Sequence, residues 1–342
     1  MSFLDQPPAL RAFRELFLAG RGLDVPRVRL AELPHWVSPV RAALPDGTRC
    51  DDWSAWVAPS YFYGFSSPGD PATVAAAATA GADAGADCVL LPVVADPRPA
   101  LAAGFVCVPW FFEAIYEVRE DPAADLRASV GNKRAREVAR LGERFTEAYR
   151  TRVVQADELR ADPSLLDAFD RLHRLNLEKY GHRFNFYHRG VLDVLLRSEL
   201  GDAATILFVD DLRTGGVVGT ALGLLSADRR EFADLVGGID ESQRRPGQNV
   251  YIGQTRALVR WGAELGVRRF LLGRGNEAQK IGLGANQIRT LYNCVLPLRQ
   301  ERDELVALAG AMTRRLSAGA AALVTSHHRD VTLPSIHEGV RP

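Results

Sequence analysis

An α/β (α+β) architecture, with mixed central sheets flanked by helices and two modules in tandem, follows from three features of this chain. At 342 residues it exceeds the size at which one hydrophobic core keeps growing, so two units of about 150 residues are the default. The second half reads in order as helix, helix, three antiparallel strands, helix, strand, glycine-rich loop and strand. The first half carries a sparser version of the same plan. The expected division is residues 1–150 for a first module ending in a basic helix and 151–316 for a second with the glycine loop. A tail, 317–342, is expected to be poorly ordered.

The segment before residue 60 is rich in proline and tryptophan, with Pro34, Trp36, Pro39, Trp53 and Trp56, and leads to Tyr61-Phe62-Tyr63, a strand or strand edge. Asp70-Pro71 supplies an N-cap and a first helical position for a helix to about Ala86. Cys88–Ala95 and Gly104–Trp110 are apolar runs that read as buried strands. From Ala123 to about Phe145 a helix has two faces: Val138, Leu141 and Phe145 on one, Lys133, Arg136, Arg140 and Arg144 on another.

Arg152–Gln155 opens the second half as a strand, and Asp162-Pro163 caps a helix ending near Tyr180-Gly181. A helix over Arg189–Leu200 precedes strands at Ala204–Val209, Val217–Leu225 and Glu231–Ile239, which short polar turns join into a meander. A helix over Asn249–Leu265 ends at Gly266. Then come a strand at Arg268–Leu272, the glycine loop, a strand at Thr290–Leu298 and a helix from Arg302 to about Leu316.

Lysine plus arginine equals aspartate plus glutamate, 42 each, which argues against a surface that wraps nucleic acid throughout and leaves room for local basic faces. Cys50, Cys88, Cys107 and Cys294 are scattered, so neither a disulfide framework nor a zinc site is indicated. The N-terminus lacks a signal pattern, and no run reaches the roughly 18 apolar residues of a membrane span. A cytoplasmic protein is expected.

The chemistry concentrates between Gln243 and Ala285. Gln243-Arg-Arg-Pro-Gly-Gln-Asn249 is a basic, glycine-containing turn at a helix start, where Arg244, Arg245, Gly247, Asn249 and Tyr251 can meet donor phosphates or line a solvated turn. After the next strand, a glycine loop carries Arg274, Asn276, Glu277 and Lys280, bringing amides and a cation near an anion or a developing oxyanion. Arg274 and Asn276 can hold donor or acceptor by hydrogen bonds. Glu277 either takes a proton from an attacking amine or pairs with Lys280. Asp234 is turned inward, where burial raises its pKa and suits it to proton transfer, or lies at an edge.

Tyr180, His182, Asn185, Tyr187 and His188 form a polar aromatic loop suited to acceptor recognition, and Tyr61 and Tyr63 either line a cleft or pack in the core. The histidines lack a third ligand by spacing, so no metal site is assigned.

This order of elements resembles the acyltransferase fold of the GNAT superfamily, and Gly273–Ala285 (GRGNEAQKIGLGA) resembles the glycine-loop and lysine segment of the Fem-like and BioF2-like acyltransferases, which carry two GNAT-like modules in tandem. The basic stretch SVGNKRAREVARLGERF is similar to the helix joining their modules. Two departures stand out. Phe270-Leu271-Leu272 lacks the Asp that relatives often carry before the loop, and the diphosphate turn ends in Asn249, where the coenzyme A pattern has Gly or Ala.

The resemblance implies an amide-forming N-acyltransferase in which an amine attacks the donor carbonyl directly, with no covalent enzyme intermediate. Lys280 then neutralises donor phosphate or steadies the oxyanion. The Fem-like resemblance implies aminoacyl-tRNA as co-substrate, its acceptor stem tracked by Lys133, Arg136, Arg140 and Arg144 with Arg256, Arg260, Arg268 and Arg269. An acyl-CoA donor fits the neutral net charge as well. No bound cofactor is implied, and the acceptor is a cell-wall precursor or a small amine of specialised metabolism. A non-catalytic GNAT-like binding module is the alternative of a different class.

Overall fold

The computed structural model describes residues 7–33, 49–58, 71–181, 185–299, 302–323, 331–332 and 336; Tyr61, Tyr63 and His182 lie outside them. The described residues form ten strands: β1 (Arg27–Arg29), β2 (Ser54–Val57), β3 (Cys88–Val94), β4 (Val106–Glu117), β5 (Tyr149–Gln155), β6 (Ala204–Asp211), β7 (Val217–Leu225), β8 (Glu231–Ile239), β9 (Arg269–Arg274) and β10 (Gln287–Pro297). They make one mixed sheet in the order β1-β2-β3-β10-β4-β9-β8-β7-β6-β5. The β6–β7–β8 meander is antiparallel as expected, while β2–β3 and β8–β9 run parallel.

The two halves share this sheet, whereas the sequence suggested a sheet for each. The last strand, β10, returns to lie between β3 and β4, and β4 pairs with β10 on one edge and β9 on the other. β10 runs along β4 from Val106 to Ile115, whereas β9 pairs only with Glu113–Glu117 of this 12-residue, largely buried strand.

Helices cover both faces. In chain order they are α1 (Pro7–Arg21), α2 (Pro71–Asp83), α3 (Arg98–Ala102), α4 (Pro122–Ala148), α5 (Ala156–Ala161), α6 (Pro163–Lys179), α7 (Arg189–Arg197), α8 (Val250–Glu264), α9 (Glu277–Ile281) and α10 (Asp303–Leu323). One core joins α1, α6 and α7 to the sheet through Phe13, Phe17, Phe169, Leu195 and Phe208. Another joins α4 and α8 through Phe145, Phe232, Leu258 and Phe270.

The basic helix begins where Asp121 accepts hydrogen bonds from the Ala123 and Ala124 amides, with Pro122 in the first turn. It is not continuous. Gly131 adopts φ +76° and ψ 163°, splitting the run just before the basic stripe. Lys133, Arg136, Arg140 and Arg144 are all exposed, while Phe145 turns inward against Gly253 of α8.

The C-terminal region departs from expectation in the same local way. Leu316, Ala320 and Leu323 extend the apolar stripe at helical spacing, so α10 continues past Leu316 to Leu323. Thr332 then pairs with β10, its amide donating to the Asn286 carbonyl at 3.0 Å and its own carbonyl accepting from the Ile288 amide at 3.0 Å. Among the described residues no helix is long and apolar enough to cross a membrane.

Two adjacent glycines in β8 set the thickness of the layers. A Cβ on Gly237 would sit 2.5 Å from the Thr220 carbonyl, and one on Gly238 would sit 2.2 Å from the Leu172 carbonyl of α6. Backbone atoms cannot swing aside as a side chain does. Gly238→Ala is therefore expected to cost on the order of 1–3 kcal/mol or more, read as a lowered denaturation midpoint at unchanged m-value.

Candidate functional site at the parting of two parallel strands

The site begins with an interruption in the sheet. β8 and β9 pair only through Glu231 with Arg269, Phe232 with Phe270 and Ala233 with Leu271, after which the two strands have no further register partners on that side. At the same level β8 is bulged against β7: Leu222 faces Val236 and Gly223 faces Asp234, leaving Leu235 as an extra residue. Asp234 through Gly237 consequently keep partial solvent access in the middle of a sheet. The β8–β9 ladder therefore ends beside Asp234.

The glycine loop adjoins this point. Gly273, Gly275 and Asn276 take φ of +70°, +75° and +54°, which reverses the chain within four residues and starts α9 at Glu277. The Asp234 carbonyl lies 3.4 Å from where a Gly273 Cβ would stand, so glycine permits the two strands to remain close there. Glu277 Oε1 accepts from the Gly275 amide at 2.7 Å and so holds the turn. That bond replaces the ion pair with Lys280 considered from the spacing alone.

Lys280 folds back from α9 toward the strand it follows. Its side chain is buried, at 6% exposure, and Nζ donates to the Arg274 carbonyl at 3.0 Å. Burial lowers its proton affinity, opposed by the charges of Asp234, Glu277 and Glu113. Asp234 behaves as the complement: burial pushes its carboxyl up to about 6, with Lys280 pulling the other way. Asp234 keeps some accessible surface although protein surrounds it on nearly every side. The inward alternative for Asp234 therefore holds.

Tyr251, half-buried in the first turn of α8, is hydrogen-bonded with Thr255, and burial together with Asp234 keeps its phenol protonated. It also feels Tyr180 and Glu277. Asp234, Lys280, Glu277, Tyr251 and Tyr180 thus share one electrostatic neighbourhood, assembled from β8, α9, α8 and the end of α6. Tyr180 is 57% exposed.

Other predicted residues are engaged elsewhere. Arg245 donates to Asp211 through two bonds of 2.7 and 2.6 Å, its amide donates to the Tyr149 hydroxyl at 2.8 Å, and the pairing holds the Asp211 carboxyl well below the usual range. Arg244 lies 3.3 Å from Glu241. Asn249 caps α8, accepting from the Ile252 amide at 3.0 Å, while Gly247 takes φ +75° with open space around it. The polar turn borders a cavity of about 530 Å³ lined in part by Arg213, Arg244 and Gln248, and none of Asp234, Tyr251 or Lys280 lines it.

Tyr187 does not face an acceptor. It is 1% exposed and packs edge-on against His173, because the loop's aromatic residues supply core between α6 and α7. Asn185 donates to Asp170 at 3.0 Å. Arg274 lays its guanidinium over the Phe111 ring at 4.4 Å. Arg269 lies 3.7 Å from Glu117 and 3.4 Å from Glu231, and Arg260 lies 3.9 Å from Glu264, so neither adds a free charge to the basic helix. Arg256 is half-buried, and desolvation lowers its pKa; Arg268 is exposed.

One participant escaped the sequence reading. Glu113 in β4 is fully buried, pairs with Arg289 of β10, and stands in register opposite Arg274 at the end of β9. Its Oε1 has no hydrogen-bond partner among the described residues. A carboxylate is thus present at the level where β9 itself lacks one. The signal was available: a single glutamate inside the apolar run Val106–Ile115 must be paired or functional.

No family model matches the chain, and no curated protein matches its sequence. Solved structures do match its fold. The C-terminal domain of an Agrobacterium fabrum protein described as a lysylphosphatidylglycerol synthetase superposes with a TM-score of 0.53 at 14% identity, covering 76% of this chain and 80% of that one. The L-PGS structure from Bacillus licheniformis gives 0.51 at 14% identity, covering 71% and 78%. A tandem GNAT protein of the clavulanic acid biosynthesis pathway gives 0.40 at 13% identity, covering 65% and 68%. The chain has a mixed α/β fold like that of these two lysylphosphatidylglycerol synthetase structures.

The elevated Asp234 pKa fixes the sign of a stability test. An unfolded Asp releases its proton near 3.8 and the folded one near 6, so the folded state loses stability as pH rises between these values. Asp234→Asn removes that cost. The variant is expected to gain on the order of 1–3 kcal/mol over wild type at pH 8, with the gain vanishing near pH 3.5, in parallel thermal melts.

Proposed function

We propose that the chain is an acyltransferase that moves an aminoacyl group from aminoacyl-tRNA to a primary amine, forming an amide. This reading is supported by the placement of two opposite charges, Asp234 on β8 and the buried Lys280 folded back onto the end of β9, where the β8–β9 ladder stops, with burial pushing the carboxyl up to about 6 and disfavouring the ammonium. The incoming ammonium gives a proton to Asp234, and its lone pair attacks the ester carbonyl of the donor. Lys280 offsets negative charge as the oxyanion develops. Collapse breaks the ester C–O bond, the protonated Asp234 gives its proton to the departing ribose oxygen, and the regenerated carboxylate takes the second amine proton and passes it to solvent. The bond formed is C–N and the bond broken is the ester C–O, with no covalent enzyme intermediate.

The donor choice rests on what is free to bind phosphate. Arg245 is committed to Asp211, Arg244 to Glu241 and the Asn249 side chain to α8, which removes groups a diphosphate would use and disfavours acyl-CoA. The exposed stripe of Lys133, Arg136, Arg140 and Arg144 retains its charge toward solvent, as an interface with an acceptor stem requires. One structural neighbour is named for joining a lysyl group to phosphatidylglycerol, which supports aminoacyl over acetyl transfer. Tyr180 and Tyr251 are the aromatic groups from which the acceptor side is built.

Lys280→Met is expected to lower kcat by roughly 10²–10³-fold with unchanged circular dichroism; a rate within twofold of wild type sinks the mechanism. Product formation should stop on adding RNase, whereas release of free thiol from acyl-CoA would assign the other donor. The wild-type rate should climb as pH rises through about 6, and that limb should disappear in Asp234→Asn. Reversing Arg136, Arg140 and Arg144 to Glu should raise KM for the tRNA and flatten its salt dependence, by about one unit of log–log slope for each phosphate that the helix no longer neutralises.

A further inference from the structure

We propose that the seam between the two halves holds a second subsite, which takes the hydrocarbon part of the acceptor and makes that acceptor an amphiphilic primary amine. The inference rests on the acyl-transfer reading above and identifies the substrate class for it.

The seam exists because β4 outruns β9. Their pairing spans only Glu113–Glu117 against Arg269–Arg274, so Phe111 and Phe112 are paired with β10, Trp110 sits at a bulge in that ladder, and none of the three is in register with β9. α10 packs there without filling the space. A cavity of about 310 Å³ remains, its apolar lining including Trp110, Phe111, Phe112, Met312 and Leu316. That volume lies at the lower end of small-molecule sites, which are apolar with few polar groups.

Two charged residues border it, Glu277 and Arg315, and their positions give the cavity a direction. Arg315 lies on α10. Glu277 lies on α9, three residues before Lys280, and its carboxylate holds the Gly275 turn of the catalytic loop. Arg274 makes a second link: its guanidinium covers Phe111 in the cavity lining, while its carbonyl receives the Lys280 hydrogen bond. The end nearest the reacting groups therefore carries the Glu277 carboxylate, which attracts an ammonium against the opposing charge of the Arg274 guanidinium stacked on Phe111, and the remainder accepts hydrocarbon. An amine with an apolar body satisfies both ends. A fully polar amine leaves the aromatic lining against water.

Gly319 supplies the means of testing this. It borders the cavity from an exposed position on α10, and a Cβ there would lie 3.8 Å from Phe112, ordinary van der Waals separation that a larger side chain extends into the space. Binding of n-butylamine, n-hexylamine and n-octylamine is measured by titration calorimetry without any donor, on wild type, Gly319→Leu and Leu316→Gln, with thermal melts confirming that each is folded. Wild-type affinity should rise about fourfold per added methylene until the cavity is full. Both variants should flatten that series.

Affinity independent of chain length in wild type overturns the subsite, whatever the enzyme turns over. A rise that both folded variants leave intact also overturns it, because the hydrocarbon then binds elsewhere. A rise abolished by the variants supports the subsite even if no amide forms with any donor. That last result would count against the acyl-transfer reading alone.

Discussion

Two opposite charges kept from water where β8 and β9 part are the constraint around which this molecule is arranged. Neither Asp234 nor Lys280 is comfortable in its place, since burial weakens the ionised form of each, offset by their mutual attraction, by the charges of Glu277 and Glu113 on Lys280 and by one carbonyl hydrogen bond. Such a pair survives only if the surrounding fold holds it. The meander supplies β8, its bulge falls beside Asp234, and the left-handed turn after β9 sends Lys280 back toward the strand it has just left.

The same requirement accounts for features that look unrelated in the chain. Gly237 and Gly238 bring the Thr220 and Leu172 backbones onto β8 from either side, so the strand carrying Asp234 is clamped while its free edge stays open. The Arg245 and Asp211 pair fixes the turn before α8, and the Asn249 cap sets the first residue of that helix, which places Tyr251 beside Asp234. Residues read from the sequence as ligand-binding thus act on the site by positioning its walls. The physical distinction is partnership: a guanidinium with both arms on one carboxylate has little left for a phosphate.

The single sheet changes what the halves mean. With β10 threaded between β3 and β4 and β9 on the far edge of β4, the first half cannot separate from the second without breaking three ladders. Its contribution at the seam is Glu113, opposite Arg274, and the aromatic run before it. The glycine loop is therefore served from both halves, the meander by Asp234 and the long strand by Glu113.

Much of this was legible in order along the chain. Most strands and the longer helices between Arg152 and Pro297 followed from local periodicity, capping residues and glycine punctuation, since each depends on neighbours within a turn or a hairpin, while the short helices α5 and α9 and the starts of β5 and β10 did not. The chemistry-bearing types, Lys280 after a glycine loop and Asp234 within a strand, stood out for the same reason. Tertiary structure alone decided the rest: that β8 and β9 part after three pairs, that β10 inserts into the first half, that Tyr187 is core, and that Glu113 reaches the end of β9. Each is set by packing between residues far apart in the chain, where local pattern is silent because side-chain period says which face a residue occupies and not which strand lies beside it.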